Sequence, residues 1–502
     1  MATQVQLQRA PAFEGSSLKG NRSAEMNTTS LQDKQQRLRL LVAIASFGEK
    51  NLGFLRKIIQ DYRRLPMDVK IIVLSNAPKD LGPEIEVRVG LPSKNPWSLP
   101  FAHKPVLAEN VEQFDLFVYT EDDIEVTEKH IQAFLEVIPK LDPDELVGYM
   151  RYEVAASGEK SVPDVHGPFH WKPESVRRRD GLVTAEFTNE HAGFYILTQG
   201  QLRRAIRSGG FLTKPDDGQY GMLETAATDP YTRCGFRRVV CVSPLDNFLV
   251  HHMSNRYAGE MGIPLAAFRE QVETLVDILD HAHPAQTLCR MDSPLLHRKL
   301  AKNFYEKPDA KLTALVPKET KTILSIGCGW GVTEARLQEQ GARVTALPLD
   351  SVIGAVAARR GIEVIHGTLE QGLASLADRK FDCVVMTNLL HLQPDPEKVL
   401  AQCSRFVGDN GTLLLSGPNF NSLRFRVKRA LGVRDYRKLR SFDVSGVNVF
   451  SPRKLAKLLR GSGFHNATIH LPVDHSTGTA WPGLRETFRS LFAEDWIIQA
   501  RR

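Results

Sequence analysis

The sequence predicts an α/β protein built from two doubly wound domains. Apolar runs with strand character alternate with segments of helical spacing on both sides of a break near residues 281–319. A chain of 502 residues is also too long for one ordinary core, at roughly 150 residues per domain. An apolar fraction of 42% and a charged fraction of 25% are typical of a soluble globular protein. We therefore expect two α/β domains, each with its own ligand-binding edge.

The first predicted domain covers residues 38–280. Strands are predicted at 38–45, 69–75 and 116–120, and helices at 52–62 and 128–138. Residues 1–37 are rich in Gln, Ser, Asn and Thr, and they lack the compact apolar segment of a signal peptide. We predict a disordered tail there.

The second predicted domain covers residues 320–502 and follows a linker at 281–319. The linker contains four prolines and at most one helix, at 295–304. The predicted strands are 322–326, 343–349, 363–366, 381–386 and 412–416, and the predicted helices are 332–340, 352–360 and 397–406. This alternation is typical of a Rossmann-like, doubly wound sheet.

Charge and cysteine content limit the partners and the compartment. A net charge of +7 favours anionic ligands such as nucleotide sugars or lipid headgroups, without requiring nucleic acid. The six cysteines form no C-x-x-C pair, which argues against a zinc site and fits a reducing compartment. No apolar run approaches the roughly 18 residues that cross a bilayer. We predict a cytoplasmic protein, with any membrane contact peripheral to the inner face.

A glycine-rich loop in the second domain is the strongest motif of the chain. Residues 323–331 read Ile-Leu-Ser-Ile-Gly-Cys-Gly-Trp-Gly, a strand that enters a helix through Gly327, Gly329 and Gly331. Glycines at alternate positions let the backbone turn sharply and approach a nucleotide-like ligand. The spacing predicts a cofactor loop.

The G-x-G-x-G spacing resembles motif I of class I S-adenosylmethionine-dependent methyltransferases. The resemblance continues in order through residues 381–385, 388–392, 395–400, 408–413 and 416–419. It implies that S-adenosylmethionine is bound by the following residues: Ser325, Gly327, Cys328, Gly329, Gly331, Asp350, Glu370 and Asn388.

Two positions depart from the family pattern. Ser325 stands where an acidic residue often opens motif I, and Pro348 stands where the acidic residue that binds the ribose is expected; Asp350 is two residues later. Loss of a charge-assisted acceptor costs on the order of 1.5–3 kcal/mol. A degenerate, non-catalytic cofactor site therefore stays open as an alternative.

His391 and a basic segment complete the second site. His391 lies in the loop from which a base could deprotonate an acceptor hydroxyl, although capping or packing explains it equally. Residues 421–442 interleave eight basic residues with apolar ones: Arg424, Arg426, Lys428, Arg429, Arg434, Arg437, Lys438 and Arg440. The segment could meet an anionic lipid-linked acceptor or a membrane surface, or it could be a solvated helix. Nucleic acid is not expected, because no other basic run accompanies it.

The first domain carries Glu121-Asp122-Asp123 directly after the strand at 116–120. This motif resembles the D-x-D-type motif of GT-A-fold glycosyltransferases. The resemblance implies that Glu121, Asp122 and Asp123 hold Mg²⁺ or Mn²⁺, which neutralises a nucleotide diphosphate, and that His251 or His252 completes the metal shell. Short acidic runs are also common in solvated loops, and paired histidines are often structural.

A general base is predicted at Glu224, at the start of a short helical stretch. The position is the one at which inverting GT-A enzymes commonly place this carboxylate, and Asp216 and Asp217 are its rivals in a glycine-flanked turn.

Together these motifs predict a bifunctional glycan-modifying enzyme. A nucleotide sugar would be the donor, a polysaccharide, glycolipid or other lipid-linked glycan the acceptor, and a sugar hydroxyl the methylated group. Two alternatives remain: a glycosyltransferase with a methyltransferase-like scaffold or sensor, or a methyltransferase of a small metabolite or protein with a substrate-binding first domain.

Overall fold

A computed structural model describes residues 37–289, 291, 300–433, 436, 439, 441–464, 466–472 and 489–502. The predicted tail therefore lies outside the described residues, apart from Arg37, and so do residues 295–299 of the predicted linker helix. Residues Leu38–Arg502 form one compact unit. We refer to residues 38–280 as the first half, 281–319 as the connecting segment and 320–502 as the second half.

The strands and helices of the first half follow the predicted alternation up to residue 138, after which short strands dominate. The strands are β1 (Arg39–Ser46), β2 (Asp68–Ser75), β3 (Glu86–Val89), β4 (Leu116–Glu121), β5 (Ile124–Glu125), β6 (Glu145–Gly148), β7 (Met150–Val154), β8 (Lys160–Val162), β9 (Arg177–Arg179), β10 (Leu182–Glu186), β11 (Phe194–Thr198), β12 (Arg237–Ser243), β13 (Leu249–His252) and β14 (Ile263–Pro264). The α-helices are α1 (Leu52–Arg63), α2 (His103–Glu109), α3 (Glu128–Val137), α4 (Gln199–Arg207), α5 (Met222–Thr232) and α6 (Leu265–Leu279).

The main sheet of the first half has the strand order β11-β4-β1-β2-β3. Strands β1 to β4 are parallel and β11 is antiparallel to β4. Residues 40–45 of β1 are buried on both faces, as expected of a central parallel strand. The first half has two smaller sheets, with the strand orders β6-β12-β10-β9 and β14-β8-β7-β13-β5. Strand β13 pairs with β5, so the residues after β4 lie beside His251 and His252.

In the second half the described strands are β15 (Thr322–Cys328), β16 (Arg343–Pro348), β17 (Glu363–Val364), β18 (Phe381–Thr387), β19 (Val407–Pro418), β20 (Asn466–His470) and β21 (Asp495–Arg501). The described helices, with one in the connecting segment, are α7 (Ala310–Thr313), α8 (Val332–Glu339), α9 (Ser351–Arg359), α10 (Leu369–Ser375), α11 (Pro396–Ser404), α12 (Leu423–Ala430), α13 (Phe442–Ser445), α14 (Pro452–Gly461) and α15 (Arg489–Phe492).

These strands form one sheet in the order β17-β16-β15-β18-β19-β21-β20. Strands β15 to β19 are parallel, and β21 is antiparallel to β19 and β20. The strand order reverses next to β15, and ligands bind at the carboxyl ends of strands at such a switch point. The Rossmann-like fold predicted for the second half is confirmed.

The two halves share a continuous apolar core. Trp171 and Phe268 of the first half, Leu288 and Phe304 of the connecting segment and Leu349 of the second half belong to one buried cluster. On the surface, α6 and α9 are joined by ion pairs from Arg359 to Glu270 and Glu273. The exact domain boundaries stay a prediction. Within the described residues, no helix is long and apolar enough to span a membrane.

Candidate functional site

The glycine loop leaves β15 at the switch point of the second sheet. Gly327 and Gly331 have φ angles of +79° and +84°, which side chains other than glycine rarely adopt. Gly331 is the N-cap of α8, so the helix amino terminus faces the loop. Cys328 is buried, and burial raises the pKa of its thiol well above the usual range. The thiol is therefore a neutral packing group and not a nucleophile.

The connecting segment crosses this loop. The carbonyl oxygen of Phe304 accepts a hydrogen bond of 3.0 Å from the backbone N–H of Trp330. The carbonyl oxygen of Glu306 accepts one of 2.6 Å from the Trp330 indole N–H. A Cβ at Gly329 would lie 2.5 Å from the Phe304 oxygen. Gly329 is therefore required by the chain's own backbone.

Charged side chains are buried beside the loop. The Lys302 ammonium is fully buried and donates to the carbonyl and hydroxyl oxygens of Thr387, at 2.9 and 2.8 Å. It also lies 3.5 Å from the Glu306 carboxylate. The Glu334 carboxylate is 5% exposed and accepts a 2.7 Å hydrogen bond from the Ser325 hydroxyl. The sequence interpretation named only Ser325 in this group.

The end of β16 and the start of α9 lie where the family pattern expects the ribose of the cofactor to bind. Pro348 is the last residue of β16 and pairs with Cys328 of β15. Asp350 is buried and caps α9, where its side chain accepts from the Ile353 N–H at 2.8 Å. Burial outweighs these backbone hydrogen bonds and raises the pKa of Asp350 to about 7. Asp350 thus acts as the N-cap of α9. Its backbone also forms an isolated β-bridge with Thr287 of the connecting segment.

An open cavity of 660 Å³ lies next to Thr287, between the connecting segment and the starts of α10 and α11. Leu288, Leu369 and Glu370 are among its lining residues. The Glu370 side chain is exposed and lies 3.4 Å from the Lys398 ammonium. A volume of this size suits a nucleoside.

The loop after β18 holds the two other predicted residues of this site. Asn388 has a φ of +47° and donates its N–H to the Ser416 carbonyl at 3.0 Å. His391 is buried, with Nε2 3.3 Å from the Leu300 carbonyl oxygen, while Nδ1 has no hydrogen-bond partner among the described residues. Because a carbonyl only accepts, Nε2 carries the proton and the Nδ1 lone pair is free.

Comparison with known proteins identifies this half of the molecule. A family model described as a methyltransferase domain matches residues 297–469. The second half contains a class I S-adenosylmethionine-dependent methyltransferase domain. The ubiquinone biosynthesis O-methyltransferase of Pasteurella multocida is 29% identical over 113 residues, which is 20% of this chain and 47% of that protein. The protein of the same name from Aromatoleum aromaticum is 27% identical over 157 residues, 30% of this chain and 66% of that protein.

The chain spans about half the length of the first of these curated relatives. A solved S-adenosylmethionine-dependent methyltransferase from Mesorhizobium loti is 20% identical and covers 38% of this chain and 96% of its own, with a TM-score of 0.29.

The donor groups of this methyltransferase domain fit S-adenosylmethionine at one end better than at the other. Buried Lys302 and Glu334 offer charges of both signs beside the loop, and the Nδ1 atom of His391 is free within the described structure. On the ribose side Pro348 offers no acceptor side chain, and Asp350 is engaged in its cap. The residues beside the loop fit the amino-acid end of S-adenosylmethionine. On the ribose side, the protein lacks the carboxylate that usually binds the ribose hydroxyls.

The acidic motif of the first half lies at the carboxyl end of β4. Asp122 accepts a 2.8 Å hydrogen bond from the Asn51 amide. Asp123 lies 3.1 Å from His252 Nε2, and Glu153 lies 2.5 Å from His252 Nδ1. Burial lowers the pKa of His252, but hydrogen bonds to Asp123 and Glu153 outweigh it and raise the pKa to about 9. Without a bound cation, His252 is thus a protonated bridge between two carboxylates.

Glu121 and His251 lie on either side of this bridge. Burial, with a contribution from Asp123, raises the pKa of Glu121 to about 8. His251 stacks on Tyr152 at 5.0 Å and contacts Glu125 at 3.7 Å. Of the two histidines, the structure therefore places His252 against Asp123. Within the described part of the chain, no three His, Cys, Asp or Glu side chains are arranged to hold a metal ion, and the metal site stays a prediction.

Glu224 lies in the first turn of α5. Its carboxylate is next to Gly221, where a Cβ would be 2.9 Å from Oε2. Its rival Asp216 forms an ion pair of 3.0 Å with Arg233. These contacts are those of a helix start and a surface turn, and a catalytic role for Glu224 stays a prediction.

The basic segment 421–442 is described in part. Helix α12 carries exposed Leu423 and Val427, buries Phe425 and links Arg424 to Glu494 at 2.6 Å. Four of its predicted basic residues lie outside the described residues: Arg434, Arg437, Lys438 and Arg440. The apolar and basic groups exposed on α12 leave both the membrane and the solvated-helix interpretations as predictions.

Proposed function

We propose that the second half binds S-adenosylmethionine at the carboxyl ends of β15 and β18 and transfers its methyl group to a hydroxyl oxygen. The glycine loop carries this proposal, because Gly327 and Gly331 hold left-handed backbone angles at the switch point of a methyltransferase sheet. The curated relatives named as O-methyltransferases support oxygen as the acceptor atom. The cofactor supplies an electrophilic methyl group when bound.

The chain contributes orientation and a proton acceptor. Burial lowers the pKa of His391 to about 4, so its imidazole is neutral at pH 7. With its proton on Nε2, the free Nδ1 lone pair can accept the proton of an acceptor hydroxyl.

Transfer of a labelled methyl group tests this activity. The full chain is incubated with S-adenosylmethionine carrying a tritiated methyl group and with separate polysaccharide, glycolipid and small-phenol fractions. We expect alkali-stable label in one fraction with the parent and none with Gly327→Val. Label that is equally strong with both proteins, or absent from every fraction, contradicts the proposal.

We propose as a second activity that the first half transfers a sugar from a nucleotide sugar with Mn²⁺ or Mg²⁺. The supporting observation is the cluster of Asp122, Asp123 and His252 at the carboxyl end of β4. Such an edge of an α/β sheet is where ligands bind, and carboxylate oxygens are the ligands that these cations prefer. Glu224 would be the base of an inverting reaction.

In this scheme the acceptor is a glycan or lipid-linked glycan of the cytoplasmic face, which the basic segment 421–442 would meet peripherally at the membrane. Fusion would let one half methylate the product of the other at a raised effective concentration. The alternatives remain a scaffold role for the second half or a substrate-binding role for the first.

Thermal unfolding with Mn²⁺ and a panel of nucleotide sugars tests the second activity. We expect one nucleotide sugar to raise the midpoint only with Mn²⁺, and Asp123→Asn to remove that increase. Glu128→Asn, at an exposed site nearby in the chain, serves as the control. An increase that survives Asp123→Asn contradicts the proposed metal role.

A further inference from the structure

A fully buried lysine faces the cofactor edge of the methyltransferase domain. Lys302 has no exposed side-chain surface, and its ammonium donates to both oxygens of Thr387 at the carboxyl end of β18. Burying an ammonium group is costly unless it is paired. Its carboxylate partner is Glu306 at 3.5 Å, which is longer than a charge-assisted hydrogen bond. All three N–H donors of Lys302 are thus directed at protein oxygens, and the long contact to Glu306 is the one that a ligand carboxylate would replace.

A second buried carboxylate, that of Glu334, lies close to the Glu306 carboxylate, whose pKa is raised by burial and also by the charge of Glu334. Glu334 belongs to the first turn of α8, and Ser325 on β15 donates its hydroxyl to it at 2.7 Å. Ser325 occupies the position at which the family motif often carries an acid. Glu334 of α8 therefore supplies a carboxylate next to the position on β15 at which the family motif often has one.

Lys302 and Glu334 have opposite charges, and both lie near Cys328 of the glycine loop. An α-amino acid carries an ammonium and a carboxylate on the same carbon, and it needs a partner of each sign. The charges of Glu306 and Glu334 together exceed that of Lys302, which also favours a ligand with net positive charge. S-adenosylmethionine carries a sulfonium, an ammonium and one carboxylate, and thus has a net charge of +1.

We propose that Lys302 and Glu334 bind the α-carboxylate and the α-ammonium group of the methionyl end of S-adenosylmethionine. Glu334 takes the role of the acid that Ser325 replaces in the motif. This inference rests on the proposed function of the second half. It assigns binding to a residue of the connecting segment and to one of α8, neither of which belongs to the glycine motif.

A comparison of ligands with and without the amino-acid group distinguishes binding of that group by Lys302 and Glu334 from a purely structural role of these residues. Calorimetry measures the affinity of the full chain for S-adenosylmethionine, S-adenosylhomocysteine and 5′-methylthioadenosine, which lacks the amino-acid group. Glu334→Gln keeps the shape of the side chain and its acceptor for Ser325. We expect it to weaken the first two ligands about 10- to 100-fold and the third less than twofold.

Three further variants sharpen the test. Lys302→Met should show the same ligand pattern as Glu334→Gln. Glu339→Gln, exposed on the same helix and paired with Arg336, should leave all three affinities unchanged. Adding Ser325→Asp to Glu334→Gln should restore affinity for S-adenosylmethionine, because the carboxylate returns to the strand.

The outcomes distinguish the two levels of the proposal. If Glu334→Gln weakens all three ligands equally, or none of them, the residue supports the loop and the inference is wrong while the proposed function stands. If the parent binds none of the three ligands, the proposed function fails, and the inference fails with it.

Discussion

Gly329 lies directly against the carbonyl oxygen of Phe304, at a distance of 2.5 Å from where a Cβ would be. The same oxygen accepts the N–H of Trp330, so one carbonyl fixes two successive residues of the glycine loop. Phe304 in turn donates its N–H to Gly167 of the first half at 2.8 Å, and its ring stacks on His170 at 4.2 Å. The conformation of the loop therefore depends on a segment that also contacts the first half.

Gly329→Ala should destabilise the chain, because the Phe304 backbone must move to admit a methyl group. We expect a loss of about 1–3 kcal/mol in the free energy of unfolding, measured by urea denaturation. Gly53→Ala is the control, since it is exposed in α1 with nothing within 4 Å of its Cβ. That change should be neutral or stabilising by up to about 1 kcal/mol. Equal effects of the two substitutions would contradict the packing explanation.

Lys104→Met should destabilise the first half strongly. Lys104 and Asp229 form a buried ion pair, with side chains 1% and 0% exposed, and the substitution leaves the carboxylate with Arg233 at 3.0 Å. We expect a loss of about 3–5 kcal/mol, recovered in part by adding Asp229→Leu. Arg336→Met, which breaks an exposed pair with Glu339, should cost less than about 1 kcal/mol. A similar loss of stability in both single variants would show that burial does not increase the cost of breaking the Lys104–Asp229 pair.

Asp350→Asn should stabilise the chain at high pH and have little effect at low pH. The folded state holds the Asp350 proton up to about pH 7, whereas the unfolded state releases it near pH 4. Between these values the native state binds more protons, so this group lowers stability as the pH rises. Asn also caps helices and does not ionise. The advantage of the variant should grow from pH 4 to pH 7 and then level off.

Denaturant midpoints at pH 4.5, 6 and 8 measure this difference. The same substitution at Asp395, the exposed cap of α11, controls for loss of charge at a helix start. An advantage of Asp350→Asn that does not change with pH would show that Asp350 is ionised throughout.

His391→Asn should lower the methyl-transfer turnover by about 10²–10⁴-fold while leaving the affinity for S-adenosylmethionine within twofold. Because the pKa of His391 is about 4, the parental rate should show no titration near pH 6.5. His130→Asn is a control, since burial also lowers the pKa of His130 to about 4, but it lies in the first half. Parental turnover in His391→Asn would assign the histidine to packing.

The sequence predicts the second sheet well because its strands are buried apolar runs. Predicted strand 322–326 corresponds to Thr322–Cys328, and 381–386 to Phe381–Thr387. Strand β21 (Asp495–Arg501) was not predicted, since it pairs antiparallel with β19 and has only a short alternating pattern. Among the short strands at 145–186, β6, β7 and β10 likewise pair with strands that are distant in the sequence.

The contacts of the charged groups beside the candidate sites could not be predicted from sequence motifs, because most of them join residues that are distant in the sequence. Glu334 reaches Ser325 because the chain reverses through the glycine loop, and Lys302 reaches Thr387 across 85 residues. His252 meets Glu153 across 99 residues. The one local signal was the spacing of Lys302 and Glu306 by four residues. Gly329 was predicted to contact a cofactor, whereas the structure places the chain's own carbonyl against it.

Titration calorimetry of the full chain with S-adenosylmethionine is the most direct test of the methyltransferase proposal. We expect one binding site per chain that is lost in Gly327→Val, where a branched side chain would take a left-handed backbone angle and collide with Leu389. Gly361→Val, at a left-handed glycine with nothing within 4 Å, controls for backbone strain and should still bind. No heat of binding in a folded parental protein would contradict the proposal and favour a scaffold role for the second half.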